Sequence, residues 1–292
     1  MKKIFSAFLA SFLLLGILCG CSKSDNNDKF TVYTTIYPIY DFACKIGGDK
    51  ADVYSIIPQG TEPHDWEPTG NDVVNLINAD VFLYNGLGLE SWIDDVKSNL
   101  ENTDVVCVSD GVTPITNQTA SDPHIWLDPI SAQIMLENIK NAFINSDAIN
   151  AEYYKSNYEK YKTELESLDS EYKDSLLDCT QKNIITVHRA FGYLCSRYGL
   201  NQITAEGAVA ESEPEAKVLV EIIETAKREG IKTVFVAEEG SSKIADTIAS
   251  EIGGEVKTLY NLENLTDEQQ ENSSDYFSVM RLNLETLKEV LK

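Results

Sequence analysis

Residues 150–178 read NAEYYKSNYEKYKTELESLDSEYKDSLLD, and this stretch contains neither glycine nor proline. Apolar side chains recur in it at steps of three and four residues: Tyr154, Tyr158, Tyr161, Leu165, Leu168, Tyr172 and Leu176. That spacing places them along one face of a helix. The stretch therefore predicts one long amphipathic helix packed against the rest of the chain, although a coiled-coil dimer would show the same stripe.

On each side of this helix, short runs rich in β-branched residues alternate with helical stretches. The runs before it are TVYTTIY at 31–37, DVYSIIP at 52–58, DVFLYNG at 80–86 and DVVCVSD at 104–110. The runs after it are NIITVHR at 183–189, QITAEG at 202–207, KTVFVAE at 232–238 and EVKTLY at 255–260. Such alternation is typical of mostly parallel sheets flanked by helices. We predict an α/β fold of two lobes, residues 30–149 and 179–292, joined by a connecting helix at 150–178.

The N-terminus carries an export signal. Two lysines precede an apolar run from Ile4 to Leu18, which is too short to span a bilayer comfortably. The sequence Leu18-Cys19-Gly20-Cys21 resembles a bacterial lipobox, which implies cleavage before Cys21 and lipidation of its thiol. We therefore expect a signal peptide at 1–20 and a lipidated tether at 21–29, with the remainder anchored outside the cytoplasm.

The charge and the cysteines narrow the classes of function. A formal net charge of −23 argues against nucleic acid as a partner, because its phosphates require lysine and arginine. Beyond the signal and Cys21, four cysteines remain, widely spaced and without a C-x-x-C motif: Cys44, Cys107, Cys179 and Cys195. They do not have the spacing of a zinc cluster. Buried thiols are the default expectation, and their pairing stays open because export permits disulfides.

Histidine is the most informative residue type. The chain has three, and each lies just after a predicted strand or in a loop: His64, His124 and His188. In parallel sheets, ligands bind beyond the carboxyl ends of strands, where distant residues meet. Neutral imidazole is the commonest nitrogen ligand for transition metals. The three histidines therefore predict a metal site.

Three motifs give these histidines a family context. They are PxGxxPHxxEP at 58–68, DPHxWLDP at 122–129 and HxAFxY at 188–193, followed by a Glu-Pro pair at Glu213. In this order they resemble the metal-specific solute-binding proteins of bacterial ABC importers, which supply zinc or manganese to a membrane permease and its ATPase. The resemblance covers 30–292 and implies a monomeric two-lobed protein. It also implies that His64, His124 and His188 are metal ligands and that the metal site lies between the lobes.

The fourth ligand in this family comes from a late loop of the second lobe. Here that loop reads VKTLYNLENL, and Asn261 stands where many relatives have Asp. Glu263, two residues later, supplies a carboxylate and is the predicted fourth ligand. Glu206 and Glu238, each at the end of a predicted strand, are weaker candidates, and water is the remaining one.

The donor set favours zinc. Imidazoles suit zinc, whereas carboxylate and water oxygens suit manganese. We expect a high-affinity Zn²⁺-binding component; manganese binding and a surface adhesin role are the alternatives. The sequence lacks an HExxH helix and a nucleophile elbow, so we expect no enzyme. Asp65, Glu67 and Asp128 are candidates to orient the imidazoles, with solvent-facing or helix-capping roles as equal alternatives.

Overall fold

Two parallel four-stranded sheets form the framework of the chain. The computed structural model describes residues 29–116, 121–205, 215–237 and 242–292. The first sheet contains β1 (Phe30–Thr34), β2 (Ala51–Ser55), β3 (Val81–Tyr84) and β4 (Asp104–Cys107) in the order β2-β1-β3-β4. The second contains β5 (Asn183–Thr186), β6 (Asn201–Thr204), β7 (Thr233–Val236) and β8 (Glu255–Thr258) in the order β6-β5-β7-β8. The shared strand order confirms the predicted two α/β lobes.

Helices flank both sheets. In the first lobe they are α1 (Tyr37–Gly47), α2 (Gly70–Ile77), α3 (Ile93–Lys97) and α4 (Pro129–Ser146). The long helix is α5 (Ala151–Leu176). The second lobe has α6 (Gly192–Tyr198), α7 (Ala216–Glu229), α8 (Lys243–Ile252), α9 (Asp267–Glu271) and α10 (Tyr276–Val290). Short 3-10 turns lie at Ile125–Leu127 and Ala148–Asn150.

Helix α5 joins the lobes as predicted. Its apolar stripe is buried within the chain, apart from the half-buried Tyr161. Asn157 donates a hydrogen bond of 2.9 Å to the carbonyl of Ile46 on α1, and Tyr172 donates one of 2.6 Å to Met280 on α10. The helix therefore contacts both lobes, and the chain itself covers the stripe that a coiled-coil partner would need.

One hydrophobic core runs through both lobes. It includes Val32 of the first sheet, Leu168 of the connecting helix and Leu284 of α10, all nearly or fully inaccessible to solvent. Two smaller cores lie on the opposite faces of the sheets, one beneath α2 and α3 and the other beneath α7 and α8. The lobes are therefore packed against each other rather than joined only by a linker.

Two details differ from the sequence predictions. The run predicted as a strand at 31–37 ends at Thr34, because helix α1 begins at Tyr37 with Pro38 in its first turn, where proline is tolerated. Helix α4 has no counterpart among the predicted elements. The predicted signal peptide, Cys21 and residues 22–28 of the tether lie outside the described residues. Within the described ranges, no helix is both long enough and apolar enough to cross a bilayer.

Candidate metal centre

The loops that follow four different strands supply the polar side chains of the crevice between the lobes. His64 lies between β2 and α2, and His124 lies between β4 and α4. His188 follows β5 by two residues, and Glu263 lies in the loop after β8. Because the strands are parallel, their carboxyl ends face the same crevice. The fold thus brings together residues that are up to 199 positions apart in sequence.

The four side chains form one compact cage. One potential ligand atom from each residue lies within 4.8 Å of those of the other three. Glu263 Oε1 is 3.0 Å from His124 Nε2, 3.5 Å from His188 Nε2 and 3.7 Å from His64 Nε2. The Nε2 atoms of His124 and His188 are 3.1 Å apart. Tetrahedral zinc, with bonds of about 2.0–2.1 Å, separates its ligand atoms by roughly 3.4 Å, so the cage has the right size.

The cage is partly shielded from water. The side chains of His124 and Glu263 are each 4 % exposed, whereas those of His64 and His188 are 15 % and 12 % exposed. Within the described part of the chain, His64 Nε2 is buried and has no hydrogen-bond partner. A buried nitrogen lone pair without a partner is unfavourable, and a metal ion in the cage would satisfy it. The donors therefore fit a cation.

Hydrogen bonds within the cage shift the pKa values of Glu263 and His124. Burial alone would raise the pKa of Glu263, but hydrogen bonds to His124 and His188 hold it well below its ordinary value. Burial alone would also lower the pKa of His124, but hydrogen bonds to Asp122 and Glu263 raise it above the ordinary 6.5. Glu263 is therefore ionised at neutral pH, and in the absence of metal His124 retains its proton more readily than a free imidazole.

Asp122 orients His124. Its Oδ1 accepts hydrogen bonds from the backbone N–H of His124 at 2.9 Å and from Nδ1 at 2.7 Å. When Nδ1 donates to this carboxylate, the lone pair of Nε2 points into the cage, as in the carboxylate–histidine–metal arrangement of zinc proteins. Sequence reasoning missed Asp122. The available signal was a carboxylate two residues before a histidine.

The other carboxylates considered from sequence lie elsewhere. Asp65 and Glu67 are exposed. Asp128 caps α4, where its side chain accepts hydrogen bonds from the backbone of Ile130 and Ser131 at 3.1 and 3.3 Å. Asp128 is therefore a helix cap, one of the alternatives that the sequence left open, and capping uses both of its oxygens. Glu206 and Glu238 lie outside the described residues.

The cysteines take no part in the cage. Cys44, Cys107, Cys179 and Cys195 are free thiols, and only Cys195 is fully buried. Across the described ranges, the three histidines and Glu263 are the one cluster of three or more histidine, cysteine or acidic residues that could hold an ion.

Comparison with known families identifies the context of this cage. The sequence profile described as ZnuA, zinc-uptake complex component A, periplasmic, matches residues 32–290. The chain belongs to this family.

Three relatives cover most of the chain. The high-affinity zinc uptake system protein ZnuA of Bacillus subtilis (strain 168) is 36 % identical over 97 % of this chain and 96 % of its own length. The zinc-bound ZnuA-like domain of AdcA from Streptococcus pneumoniae has a TM-score of 0.82 at 32 % identity, covering 90 % of this chain and 99 % of the domain. The laminin-binding protein of Streptococcus agalactiae, described as a bifunctional protein with adhesin and metal transporting activity, has a TM-score of 0.83 at 33 % identity, with coverages of 90 % and 100 %. The chain spans 61 % of the full-length pneumococcal zinc-binding lipoprotein AdcA.

Proposed function

We propose that this chain captures one Zn²⁺ outside the cytoplasm and delivers it to the membrane permease of an ABC importer. The observation that carries the proposal is the cage of His64, His124, His188 and Glu263, whose ligand atoms lie within 4.8 Å of one another. Membership of the zinc-uptake family and similarity to a zinc-bound domain support it.

The donor set favours zinc over manganese. Three imidazoles and one carboxylate suit zinc, and N-donor sites bind it more tightly than manganese along the Irving–Williams order. Four protein donors fill a tetrahedron, whereas catalytic zinc keeps one position open for water. The cage therefore suits capture and release of an ion rather than catalysis.

The N-terminal sequence supports a location at the membrane surface. In this proposal residues 1–20 are a cleaved signal, Cys21 carries lipid, and residues 21–29 tether a monomeric body of two lobes, residues 30–149 and 179–292 with the connecting helix at 150–178. The naming of the pneumococcal relative as a lipoprotein is consistent with this arrangement. The tethered body would meet the permease and its ATPase subunit at the cell membrane.

The test is a competition titration of the metal-free body, residues 30–292, with Zn²⁺ and Mn²⁺. We expect one tight zinc per chain that manganese does not displace. Glu263→Gln and His188→Ala should each weaken zinc binding by more than about 100-fold, because a lost ligand costs at least as much as a lost outer-shell partner. Glu67→Gln, at an exposed position, is the matched control. No binding of either ion would overturn the proposal, and a preference for manganese would overturn the choice of metal.

A second candidate function, adhesion, is favoured by the similarity to the laminin-binding protein of Streptococcus agalactiae. Both activities can coexist in one protein, so each needs its own measurement. Binding of the zinc-loaded body to immobilised laminin, compared with an unrelated lipoprotein of equal charge, separates them. Saturable laminin binding would add adhesion, whereas its absence would leave metal delivery alone.

A further inference from the structure

The peptide that carries Glu263 into the cage has an unusual backbone. Leu262, the preceding residue, has φ of +64°, in the left-handed region that residues with a Cβ adopt rarely. Leu262 is also buried, with 1 % of its surface exposed. Neighbouring groups must therefore hold this conformation, and strained backbone of this kind is frequent where a side chain has to be aimed.

Asn261 holds the turn from one side. Its side-chain Oδ1 accepts the backbone N–H of Glu263 at 3.3 Å, a bond to the residue two positions on that closes a turn around Leu262. Asn261 is itself 7 % exposed. On the other side of the turn, the carbonyl of Glu263 accepts the N–H of Tyr37 from the first lobe at 3.1 Å. The peptide between Leu262 and Glu263 and the peptide after Glu263 are thus both held by hydrogen bonds.

Trp126 ties this turn to the loop of a second cage residue. Its indole N–H donates to the carbonyl of Asn261 at 2.6 Å, and its own carbonyl accepts the hydroxyl of Tyr276 at 2.6 Å. The Trp126 ring lies 5.2 Å from the ring of His124, two residues before it. The backbone of Asn261 is therefore anchored next to one imidazole of the cage, while its side chain restrains the residue that brings the carboxylate.

We propose that Asn261 is a positioning residue for the metal site, whose side-chain oxygen holds Leu262 in the left-handed conformation and thereby aims the Glu263 carboxylate at the three imidazoles. The inference rests on the proposed function. It requires an acceptor oxygen at position 261 and makes no use of the amide NH₂. An aspartate at 261 keeps that oxygen, whereas an alanine removes it.

The experiment compares Asn261→Ala and Asn261→Asp in the complete folded body, residues 30–292. Zn²⁺ affinity is measured by chelator competition, and Co²⁺ in place of zinc reports the coordination geometry through its visible absorption. We expect Asn261→Ala to weaken zinc binding by about 10- to 100-fold and to alter the cobalt spectrum, as outer-shell changes do. Asn261→Asp should restore both. The thermal midpoint of the metal-free Asn261→Ala chain should stay near that of the matched control.

The matched control is Asn264→Ala, in the same loop. The side-chain amide of Asn264 donates to the carbonyl of Thr61 at 3.0 Å and makes no hydrogen bond to the backbone of Glu263. The cobalt spectrum of this variant should therefore not change. A parent-like affinity and spectrum in Asn261→Ala would overturn the inference, and so would failure of Asn261→Asp to restore them. If Asn261→Ala does not fold, Asn261→Ser, with a shorter acceptor, must show an intermediate change, and a parent-like spectrum there overturns the inference equally. A parent chain that binds no zinc refutes the proposed function instead.

Discussion

At the scale of single residues, the carboxylate of Asp122 controls which nitrogen of His124 is free for a metal. Its Oδ1 accepts a hydrogen bond from Nδ1 at 2.7 Å, which leaves the Nε2 lone pair facing the cage and makes the imidazole a stronger base. The neighbouring backbone N–H of His124 bonds to the same oxygen, so the orientation of the carboxylate is fixed as well.

Removing this charge while keeping the shape should weaken the metal site. We expect Asp122→Asn to lower zinc affinity by about tenfold. The side-chain amide oxygen still accepts a hydrogen bond from Nδ1, but without a negative charge it no longer makes the His124 imidazole a stronger base. Chelator competition measures the change. Asp65→Asn is the control, since Asp65 also lies next to a histidine in sequence but is exposed. Equal losses in the two variants would contradict the orienting role.

The pKa shifts of His124 and Glu263 make the stability of the metal-free chain depend on pH in opposite directions. The raised pKa of His124 adds stability to the metal-free chain that is complete below pH 6.5 and is lost as pH rises through the folded pKa. The lowered pKa of Glu263 adds stability above pH 4.5 that is lost as pH falls through its folded pKa.

Zinc binding requires the His124 proton to leave, so zinc affinity should rise with pH and continue to rise above 6.5. Competition titrations between about pH 5 and pH 8.5, beside melting curves of the metal-free chain, check both trends. An affinity that is the same at both ends of this range would argue against imidazole ligation.

At the scale of elements, the start of helix α6 packs closely against the loop that carries His124. A Cβ added to Gly192, the first residue of α6, would lie 2.5 Å from Asp122 Oδ2. The hydroxyl of the next residue, Tyr193, donates to the carbonyl of Asp122 at 3.0 Å. The first residues of helix α6, in the second lobe, thus limit the space available to the Asp122 carboxylate of the first lobe.

A methyl group at position 192 should therefore weaken zinc binding without touching a ligand. We expect Gly192→Ala to lower zinc affinity by about tenfold, as displacement of Asp122 would. Gly70→Ala is the matched control: Gly70 also begins a helix, α2, but no atom lies within 4 Å of its added Cβ. Calorimetric titration of both variants with zinc measures the change. An unchanged zinc affinity in Gly192→Ala would mean that Asp122 can move away from the added methyl group without loss of binding, which would contradict the prediction.

Elements with a one-sided pattern were predictable from sequence, and elements surrounded by protein were not. Helix α5 was evident because Tyr154 and Leu165 repeat on one face and neither glycine nor proline interrupts it. Helix α4 escaped prediction because apolar residues such as Met135 and Ile139 are mixed with small and polar residues that are also buried, including Ser131. Local periodicity carries little information when a helix has protein on several sides.

The residues of the site also differ in how far the sequence could predict them. His64, His124 and His188 stood out by rarity and by their place after strands, and the structure brings them together with Glu263. Their role as ligands stays a prediction. The one sequence signal for Asp122 was its place two residues before His124. The contribution of Asn261 depends on the backbone conformation of Leu262, which residue spacing does not show.

At the scale of the whole molecule, the two lobes share one core. Buried side chains of both sheets, the connecting helix and α10 belong to one apolar cluster. Polar contacts add to it across the lobes, among them Lys45 of α1 with Asp275 at 2.9 Å. Opening the crevice by a rigid hinge would break this core, so the local loops around the cage are the parts that can move at lower cost.

A shared core predicts that the lobes unfold together. We expect a single calorimetric transition for the metal-free body, with equal calorimetric and van't Hoff enthalpies. Zinc at about 100 times its Kd should stabilise the folded state by roughly 2.7 kcal/mol and shift that one transition upward. Two separate transitions, only one of them sensitive to zinc, would show that the lobes are independent.

The position of Trp126 beside His124 also has an optical consequence. Its ring centre is 5.2 Å from that of the imidazole, so replacing a proton by a metal ion there changes the charge next to an indole chromophore. Tryptophan emission should therefore respond to zinc. Trp92→Phe should leave the response in place, because Trp92 packs against Phe82 and Trp66 instead. An emission change of unaltered size in Trp126→Phe would assign the signal elsewhere. If these outcomes are observed, Trp126 is an intrinsic fluorophore whose emission reports zinc occupancy without any label.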